Sequence, residues 1–314
     1  MQAGTTWVQR NLIAQLKRLA QALGIVSGSI GSINGVPPQG KDLSFAQDLE
    51  LQRTLNEFLM KEPDTRRQLL SMLALGVHDT TPEDEKYRIA EQLSAAIYPK
   101  YKFSEFGRLF LEDQSFLSVY KRFMDPDNWH SLDRKYTLDQ LLRLTLHIDG
   151  DVAECGVYQG ATAYLICRAI ESSKKRNYLF DSFEGLSAPL ASDGNYWFRG
   201  ALRADDSEVR ENLREFKNFT ICRGWIPERF PEVADKQFSF VHIDVDLYEP
   251  TRDSINFFYD RLSPGGVILF DDYGFKSCPG AKLATDEFFT HKRERIIMLP
   301  TGQAFIIRRN DVSP

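Results

Sequence analysis

The sequence has few cysteines and no long apolar run, and these two scarcities already limit what the protein can be. Its 314 residues include four cysteines, all far apart and outside any Cys-x-x-Cys pair, so we expect reduced thiols in the core of a cytoplasmic protein. No apolar stretch approaches the roughly 18 to 20 residues of a membrane span, and the N-terminus lacks the apolar block of a secretion signal. The sequence therefore predicts a soluble protein without a membrane span.

Charge of one sign is not concentrated anywhere in the chain. There are 39 basic and 44 acidic residues, which give a net charge of −5 without a long run of either sign. A nucleic-acid-binding surface needs clustered lysine and arginine, so we do not expect nucleic acid as a partner. Because 42% of the residues are hydrophobic, a chain of this length can bury a large core in one large domain or two smaller ones.

The first hundred residues have the apolar spacing of helices. Residues 5–23 predict an amphipathic helix, residues 24–41 are rich in Gly, Ser and Pro and predict a flexible linker, and residues 43–96 predict further helices. We therefore expect a helical N-terminal extension over residues 1–100 and a second domain over residues 101–314.

Beyond residue 100 the pattern changes to short β-branched or aromatic runs separated by helix-length segments. This alternation predicts a parallel sheet with helices on both faces. The strand candidates are Asp151–Val157, Tyr178–Asp181, Phe219–Cys222, Phe238–Val245 and Val267–Phe270, and a final pair, Arg295–Leu299 and Gln303–Arg309, can form an antiparallel hairpin at the edge. The predicted fold class is α/β, with the Rossmann-like seven-stranded sheet of class I methyltransferases.

A glycine-containing turn follows the first predicted strand. Glu154, Gly156 and Gly160 form the pattern E-x-G-x-x-x-G ahead of a helical stretch, and glycine lets the backbone approach a ligand closely at the carboxyl end of a parallel strand. The spacing differs from the G-x-G-x-x-G of dinucleotide enzymes, and an acid two residues before the first glycine suits the cationic amino-acid end of S-adenosylmethionine. An ordinary tight turn is the alternative interpretation.

The next two predicted strands end in candidate contacts for the rest of this cofactor. Asp181 lies about 25 residues past the glycine turn, where an acid can bind both ribose hydroxyls, although an Asx turn or a helix cap would explain it equally well. After the third strand, Trp225 could stack on adenine or serve only in packing. The full candidate cofactor set is Glu154, Gly156, Val157, Gly160, Asp181, Ser182, Phe183, Gly224, Trp225 and Asp244.

Four aspartates at the ends of two neighbouring strand candidates give the most specific signal. Asp244 and Asp246 follow one strand, and Asp271 and Asp272 follow the next. The ends of parallel neighbours lie about 5 Å apart, and carboxylates that crowded need a cation to stay ionised. Asp244 and Asp246 are two residues apart and would share a face in a strict strand, whereas only one of the adjacent Asp271 and Asp272 can point at a given spot. Three of the four can therefore reach one ion such as Mg²⁺ or Ca²⁺. Capping of the following helices is the alternative.

Together, these segments resemble the macrocin O-methyltransferase (TylF-like) family. The resemblance rests on Glu154-Cys-Gly156-Val-Tyr-Gln-Gly160, Phe180-Asp181-Ser-Phe-Glu184-Gly185, His242-Ile-Asp244-Val-Asp246-Leu-Tyr-Glu-Pro-Thr251 and Phe270-Asp271-Asp272-Tyr-Gly274, and it covers residues 103–309. It implies that S-adenosylmethionine and a divalent ion, Mg²⁺ in this family, serve the methylation of a sugar hydroxyl on a natural product.

The resemblance also implies roles for individual residues. Asp244, Asp271 and Asp272 match metal ligands, and Asp246 matches the general base. The two glycines of the turn match the cofactor loop, and Asp181 matches the ribose acid.

Two features depart from the family pattern. Trp129-His130-Ser131 stands where relatives often have Met-Thr-Ser, and the helical first hundred residues exceed what the family usually carries. We regard His130 as a second candidate proton acceptor, although an ordinary exposed or packed histidine is the favoured interpretation. His242, inside a strand candidate, is expected in the core.

Other functions and partners remain open at this stage. A catechol-type O-methyltransferase would use the same fold and metal on an aromatic diol, and residues 187–203 form a long loop that could cover either acceptor. A non-catalytic scaffold would bind a partner through the helical region. We expect a small-molecule acceptor, either free or carrier-bound, and a homo-oligomer formed through the helical region. The identity of the acceptor and any place in a larger synthase stay undecided.

Overall fold

The computed structural model describes residues 109–124 and 130–310, together with scattered positions between 86 and 101. The chain divides after Leu109 into two units. In the first unit, the described positions 86, 87, 89–91 and 94 are helical. The helix predicted at 5–23, the linker at 24–41, most of the 43–96 segment and the expected oligomer contacts lie outside the described residues, so they stay predictions, as does the boundary at residue 100. No helix in the described part of the chain is long and apolar enough to cross a membrane.

The second unit alternates strands and helices. Its helices are α1 (Gln114–Arg122), α2 (Leu132–Thr145), α3 (Ala161–Ala169), α4 (Asp206–Asn212), α5 (Tyr248–Phe258) and α6 (Pro279–Phe289). Its strands are β1 (Asp151–Cys155), β2 (Asn177–Asp181), β3 (Phe219–Arg223), β4 (Phe238–Ile243), β5 (Leu262–Phe270), β6 (Ile297–Met298) and β7 (Ala304–Ile307). Each strand overlaps its predicted position, but β1 and β4 end two residues early and β5 begins five residues early.

The strands form one seven-stranded sheet in the order β3-β2-β1-β4-β5-β7-β6. The five strands β1 to β5 are parallel, and β7 pairs antiparallel with both β5 and β6. The chain builds the sheet outward from β1 to β3 and then returns to continue from β4 on the other side. Ligands of open α/β sheets bind at such a switch point, outside the carboxyl ends of the strands. The predicted fold class is confirmed.

Helices cover both faces of the sheet, so alternate residues of each central strand enter different cores. On one face, Phe240 of β4 and Leu269 of β5 pack with Leu138 of α2. On the other face, Ile243 of β4 packs with Phe258 of α5. Because side chains of a strand alternate between faces, this two-residue period also decides on which side of the sheet the polar residues at the strand ends lie.

Candidate functional site

The carboxyl ends of the central strands open into a cavity of about 570 Å³. Among the predicted residues, the cavity is lined by Glu154, Gly156, Val157, Asp181, Ser182, Trp225, Asp244, Asp246 and Asp272. Four others, Gly160, Phe183, Gly224 and Asp271, do not line it, and the Phe183 ring is buried in the core beside α4. Most of the predicted set is therefore brought to one place.

The glycine turn after β1 is a tight strand-to-helix connection. Gly156 has a φ of +85°, and a Cβ atom there would lie 1.7 Å from the carbonyl oxygen of Asp244. Gly160, also at +85°, is the N-cap of α3 and has no side chain to cap it. Only glycine satisfies the first position, because any side chain would collide with the neighbouring strand end. The first turn of α3 also lines the cavity, through Ala161 and Thr162.

Glu154 is buried at the end of β1 and faces the cavity. Its side chain is 1% exposed, and its Oε2 atom has no hydrogen-bond partner among the described residues. Oε1 lies 3.5 Å from His242 Nδ1, an ion-pair contact longer than an ordinary hydrogen bond. Burial raises the pKa of Glu154, while His242 opposes that rise. A buried carboxylate oxygen without a partner is costly, so this atom is suited to a cationic ligand group.

Asp181 is more fully used by the protein than its sequence position suggests. Its Oδ2 accepts hydrogen bonds from the backbone N–H groups of Val157, at 2.8 Å, and Tyr158, at 3.0 Å. Its Oδ1 accepts from Phe183 N at 2.7 Å, which is the Asx turn considered as the alternative. A carboxylate offers about four acceptor positions, so one remains on Oδ1. Asp181 can thus hold the glycine turn and still accept a hydrogen bond from one ribose hydroxyl. It cannot bind both ribose hydroxyls through separate oxygens.

The four aspartates divide into two groups of possible metal ligands, and members of both groups line the cavity. One group contains Asp244 and Asp271 with His242, and the other contains Asp246 and Asp272 with Cys278. β5 ends at Phe270, so Asp271 and Asp272 lie just beyond the strand, one in each group. The expectation that Asp244 and Asp246 share a face is wrong, because β4 ends at Ile243 and Asp246 adopts a left-handed φ of +59°. The predicted ligand set Asp244, Asp271 and Asp272 therefore spans both groups and stays a prediction.

Asp271 is surrounded by donors from distant parts of the chain. Arg134 of α2 forms an ion pair with Oδ2, while Oδ1 accepts a hydrogen bond from Gln303 at 2.7 Å and lies 3.3 Å from His242 Nε2. Burial alone would raise the pKa of Asp271, but Arg134 and His242 outweigh it and hold the pKa well below its usual range. Burial lowers the pKa of His242, but its contacts with Asp271 and Glu154 outweigh burial and raise that pKa to about 9. Asp271 is thus an ionised, compensated carboxylate.

Asp246 and Asp272 form the second group, together with Cys278. The backbone N–H of Asp246 donates to Asp272 Oδ2 at 2.9 Å, and the thiol of Cys278 donates to Asp246 Oδ1 at 3.4 Å. Burial, followed by the charge of Asp244, raises the pKa of Asp246 to about 7. Burial and the charge of Asp246 raise the pKa of Asp272. These carboxyls hold protons more tightly than free aspartates do.

His130, the second candidate proton acceptor, also lines the cavity. Its ring stacks on Tyr120, with centroids 4.6 Å apart. Burial, followed by the charge of Lys135, lowers the pKa of His130 to about 4. It is therefore neutral near pH 7 and a weaker base than Asp246. His242 is fully buried in β4, as expected, but it connects two acids rather than packing among apolar groups.

Several residues of the site were missed by sequence reasoning. They are Arg134 and Gln303 on Asp271, Lys135 beside the cavity, and Cys278 near Asp246. Trp197 belongs to the 187–203 loop predicted to cover the acceptor, but its contact with Cys278 was not expected. Lys135 Nζ donates to Thr162 at 2.6 Å, so a basic residue in the first turn of α2 reaches the cofactor turn. No local motif marks these positions; only their long-range contacts do.

The residues present fit both groups that the sequence suggests. Glu154 Oε2 supplies an unpartnered acceptor beside the glycine turn that lines the cavity, which suits the amino acid end of the cofactor. Asp244 and Asp272 offer carboxylate oxygens in the cavity, and oxygen donors are those that hard divalent ions prefer. Arg134 already holds one oxygen of Asp271, so a cation would share that carboxylate with a guanidinium or displace it.

Comparison with known proteins places the chain in a family. The family model for Macrocin-O-methyltransferase (TylF) matches residues 136–300. The demethyldecarbamoylnovobiocin O-methyltransferase of Streptomyces niveus is 29% identical over 157 residues, 45% of this chain and 59% of that protein. The 8-demethyl-8-(2,3-dimethoxy-alpha-L-rhamnosyl)-tetracenomycin-C 4'-O-methyltransferase of Streptomyces olivaceus is 28% identical over 149 residues, 43% of this chain and 57% of that protein. The chain thus spans less than three fifths of the length of these curated relatives.

Solved structures show the same fold. The O-methyltransferase NovP superimposes with a TM-score of 0.51 at 23% identity, covering 59% of this chain and 84% of that one. The calicheamicin methyltransferase CalS11 gives 0.53 at 20% identity, covering 75% of this chain and 96% of that one. At these identities the likeness concerns the fold alone. Because the family model matches more than half of the chain and includes the glycine turn and all four aspartates, this chain belongs to the macrocin O-methyltransferase (TylF) family.

Proposed function

We propose that this protein is an S-adenosylmethionine-dependent O-methyltransferase that acts on a hydroxyl of a natural product, with the help of a divalent cation. The observation that carries the proposal is that Glu154 and Asp246, a buried acceptor without a partner and a carboxyl with a pKa near 7, line the same cavity. Family membership supports the activity. The perturbed pKa values of the acids in the cavity are typical of a catalytic site and argue against the alternative of a non-catalytic scaffold.

The chain's own residues divide the work of binding. Glu154 Oε2 would accept hydrogen bonds from the ammonium group of S-adenosylmethionine, and Oδ1 of Asp181 would accept one ribose hydroxyl. Trp225 in the cavity wall would pack against the adenine. Asp244, Asp271 and Asp272 would hold the cation. When bound, S-adenosylmethionine supplies a methyl group whose carbon–sulfur bond breaks with the electron pair on sulfur, and a cation lowers the pKa of a hydroxyl that it contacts.

Asp246 is the proposed general base. It would take the proton of the acceptor hydroxyl onto its carboxylate while the acceptor oxygen bonds to the methyl carbon. An aspartate of ordinary pKa, near 3.9, is a weak base, but burial raises the pKa of Asp246 to about 7, close to the optimum for proton transfer at neutral pH. His130 is the poorer candidate because burial lowers its pKa.

The acceptor class is proposed from the relatives and from the cavity walls. The named relatives methylate novobiocin- and tetracenomycin-type compounds according to their descriptions, which favours a glycosylated or polyketide natural product. Trp197, Trp225 and Phe275 line the cavity and would suit the apolar face of a sugar as well as an aromatic ring. A screen with methyl-labelled S-adenosylmethionine, comparing aminocoumarin and macrolide glycosides with catechol, separates the two: labelling of catechol alone would support the catechol-type alternative.

The base assignment is tested with Asp246→Asn. We expect this variant to bind S-adenosylhomocysteine like the wild type in calorimetry but to lose about 10²- to 10⁴-fold in turnover, the usual contribution of a general base. Asp260→Asn is the matched control, because Asp260 is exposed and does not line the cavity. Wild-type turnover in Asp246→Asn would remove Asp246 as the base.

A further inference from the structure

Cys278 is a buried cysteine with no role in the chemistry described so far. It is 2% exposed and lies at the N-cap of α6, where its side chain borders the cavity. Sulfur is a weak hydrogen-bonding atom, yet this one has polar atoms on both sides. Trp197 Nε1 lies 3.3 Å from Sγ, and Asp246 Oδ1 lies 3.4 Å from it.

The chemistry of the two neighbours fixes the direction of these bonds. An indole N–H can only donate a hydrogen bond, so the sulfur accepts from Trp197. The single thiol proton is then available to the carboxylate of Asp246, which accepts. The Ser277 hydroxyl, 3.5 Å away, can act in either direction. Trp197, Cys278 and Asp246 therefore form a directed chain that ends on the proposed base.

The first member of this chain is itself held in place by the fold. Asp193 is buried in the same segment as Trp197, and its Oδ1 accepts a hydrogen bond from the backbone N–H of Tyr248, at 2.7 Å. Its Oδ2 accepts from Leu190 N at 2.7 Å. A Cβ atom at Gly280 in α6 would lie 1.8 Å from Asp193 Oδ1, so α6 and this segment are in close contact. The segment, α5 and α6 thus fix the position of the thiol.

Asp246 is held by its backbone as well. Its φ of +59° is unusual for a residue with a side chain, and its N–H is bonded to Asp272. The backbone is thereby fixed, but the carboxylate can still rotate about its side-chain bonds. The thiol of Cys278 supplies a side-chain contact that limits this rotation.

We propose that Cys278 is a positioning residue that aims the Asp246 carboxylate into the cavity, with Trp197 orienting the thiol. In its catalytic consequence, this inference rests on the proposed role of Asp246 as the base. The positioning itself does not depend on that role. A residue that orients a base changes the rate of the step more than the binding of the substrates, because it acts on the geometry of proton transfer.

The test has a structural arm and a kinetic arm, each with three variants. Cys278→Ala removes the donor, Cys278→Ser keeps a donor of the same direction, and Cys167→Ala is the control, since Cys167 is a fully buried thiol of α3 that does not line the cavity. In crystal structures, we expect the Asp246 carboxylate to be rotated or disordered in Cys278→Ala and to keep its position in Cys278→Ser and Cys167→Ala. An unchanged carboxylate in Cys278→Ala would overturn the proposal.

The kinetic arm uses labelled S-adenosylmethionine and the best acceptor from the screen. Cys278→Ala is expected to lower kcat by about 3- to 10-fold, the worth of one hydrogen bond, with the KM for S-adenosylmethionine unchanged, and Cys278→Ser is expected to restore kcat. In the Asp246→Asn background, Cys278→Ala should have no further effect, because the thiol acts through that carboxylate. Equal losses in both backgrounds, or no rescue by serine, would refute positioning. If the carboxylate rotates while Asp246→Asn keeps full turnover, the base assignment fails and the positioning stands.

Discussion

Arg134 neutralises the most deeply buried acid of the site, so replacing it with glutamine is a demanding test of the charge arrangement. The Arg134 side chain is 12% exposed and Asp271 is fully buried. Arg134→Gln keeps a long polar side chain that can still meet Ser131, to which Arg134 Nε donates at 2.6 Å. It removes the positive charge that faces Asp271 and that also lies near Asp244 and Asp272.

The size of the effect follows from what remains around Asp271. Removing one partner of a buried ion pair costs about 3 to 5 kcal/mol, because the other charge is left uncompensated. Gln303 and His242 still contact Asp271, which favours the lower end, about 3 kcal/mol. For a unit of this size, each kcal/mol shifts Tm by about 2 to 4 °C, so we expect Arg134→Gln to melt about 6 to 12 °C below the wild type.

Thermal unfolding in EDTA and in Mg²⁺ is the assay. In EDTA the full loss of Tm is expected, and Mg²⁺ should raise the Tm of Arg134→Gln more than that of the wild type, since a cation can then occupy the space beside Asp271. Arg143→Gln is the control on the same helix: Arg143 pairs with Asp139 at 2.8 Å but is 56% exposed, so its loss should cost about 0.5 kcal/mol or less. If Arg134→Gln and Arg143→Gln melt at the same temperature, the ion pair with Asp271 does not stabilise the fold as argued.

Three further outcomes are expected. EDTA should abolish methyl transfer and Mg²⁺ should restore it, whereas indifference to chelation would remove the metal from the mechanism. Burial, followed by the charge of Lys135, lowers the pKa of His130 from 6.5 to about 4, so between these pH values only the unfolded state binds the proton. The free energy of unfolding should therefore fall by about 1 to 2 kcal/mol from pH 6.5 to 4, after allowance for screening. Urea unfolding of His130→Phe should show a smaller fall. Gly156→Ala should abolish S-adenosylhomocysteine binding, because its Cβ would lie 1.7 Å from the carbonyl oxygen of Asp244. Gly200→Ala is the control and should retain binding, since Gly200 has the same φ of +85° but the nearest atom to its Cβ would be 3.9 Å away. Equal binding by both variants would contradict the steric argument.

The fold was predictable because most of its strands carry their own signal. The β4 segment is a run of apolar and β-branched residues buried on both faces, as a central parallel strand requires. The start of β5 was missed because Pro264, Gly265 and Gly266 are typical of a turn. The two glycines are held in the strand by Arg308, the residue after β7: Gly265 N donates to Arg308 O, and Arg308 N donates to Gly266 O, both at 2.8 Å. Long-range pairing overrides the local preference.

The site was predictable only as far as the strand ends determine it. The positions of Asp244, Asp246, Asp271 and Asp272 follow from the strand order, but their grouping depends on where β4 ends and on the left-handed backbone at Asp246, which no local pattern announces. The neutralising groups are even less accessible to sequence reasoning. Arg134 is 137 residues from Asp271 along the chain, and only the folded sheet brings α2 over the end of β5.

The two groups of acids also differ in how much positive charge they receive, and this difference bears on the cation. Asp271 has Arg134 and His242 beside it, and its pKa is lowered. Burial and the charge of Asp244 raise the pKa of Asp246, and burial and the charge of Asp246 raise the pKa of Asp272. The uncompensated negative charge of the site is therefore on Asp272, Asp246 and the cavity-facing Asp244, and not on Asp271. A cation that lies between Asp244 and Asp272 would compensate this charge without displacing Arg134, and Arg134→Gln would open a second position for a cation, beside Asp271.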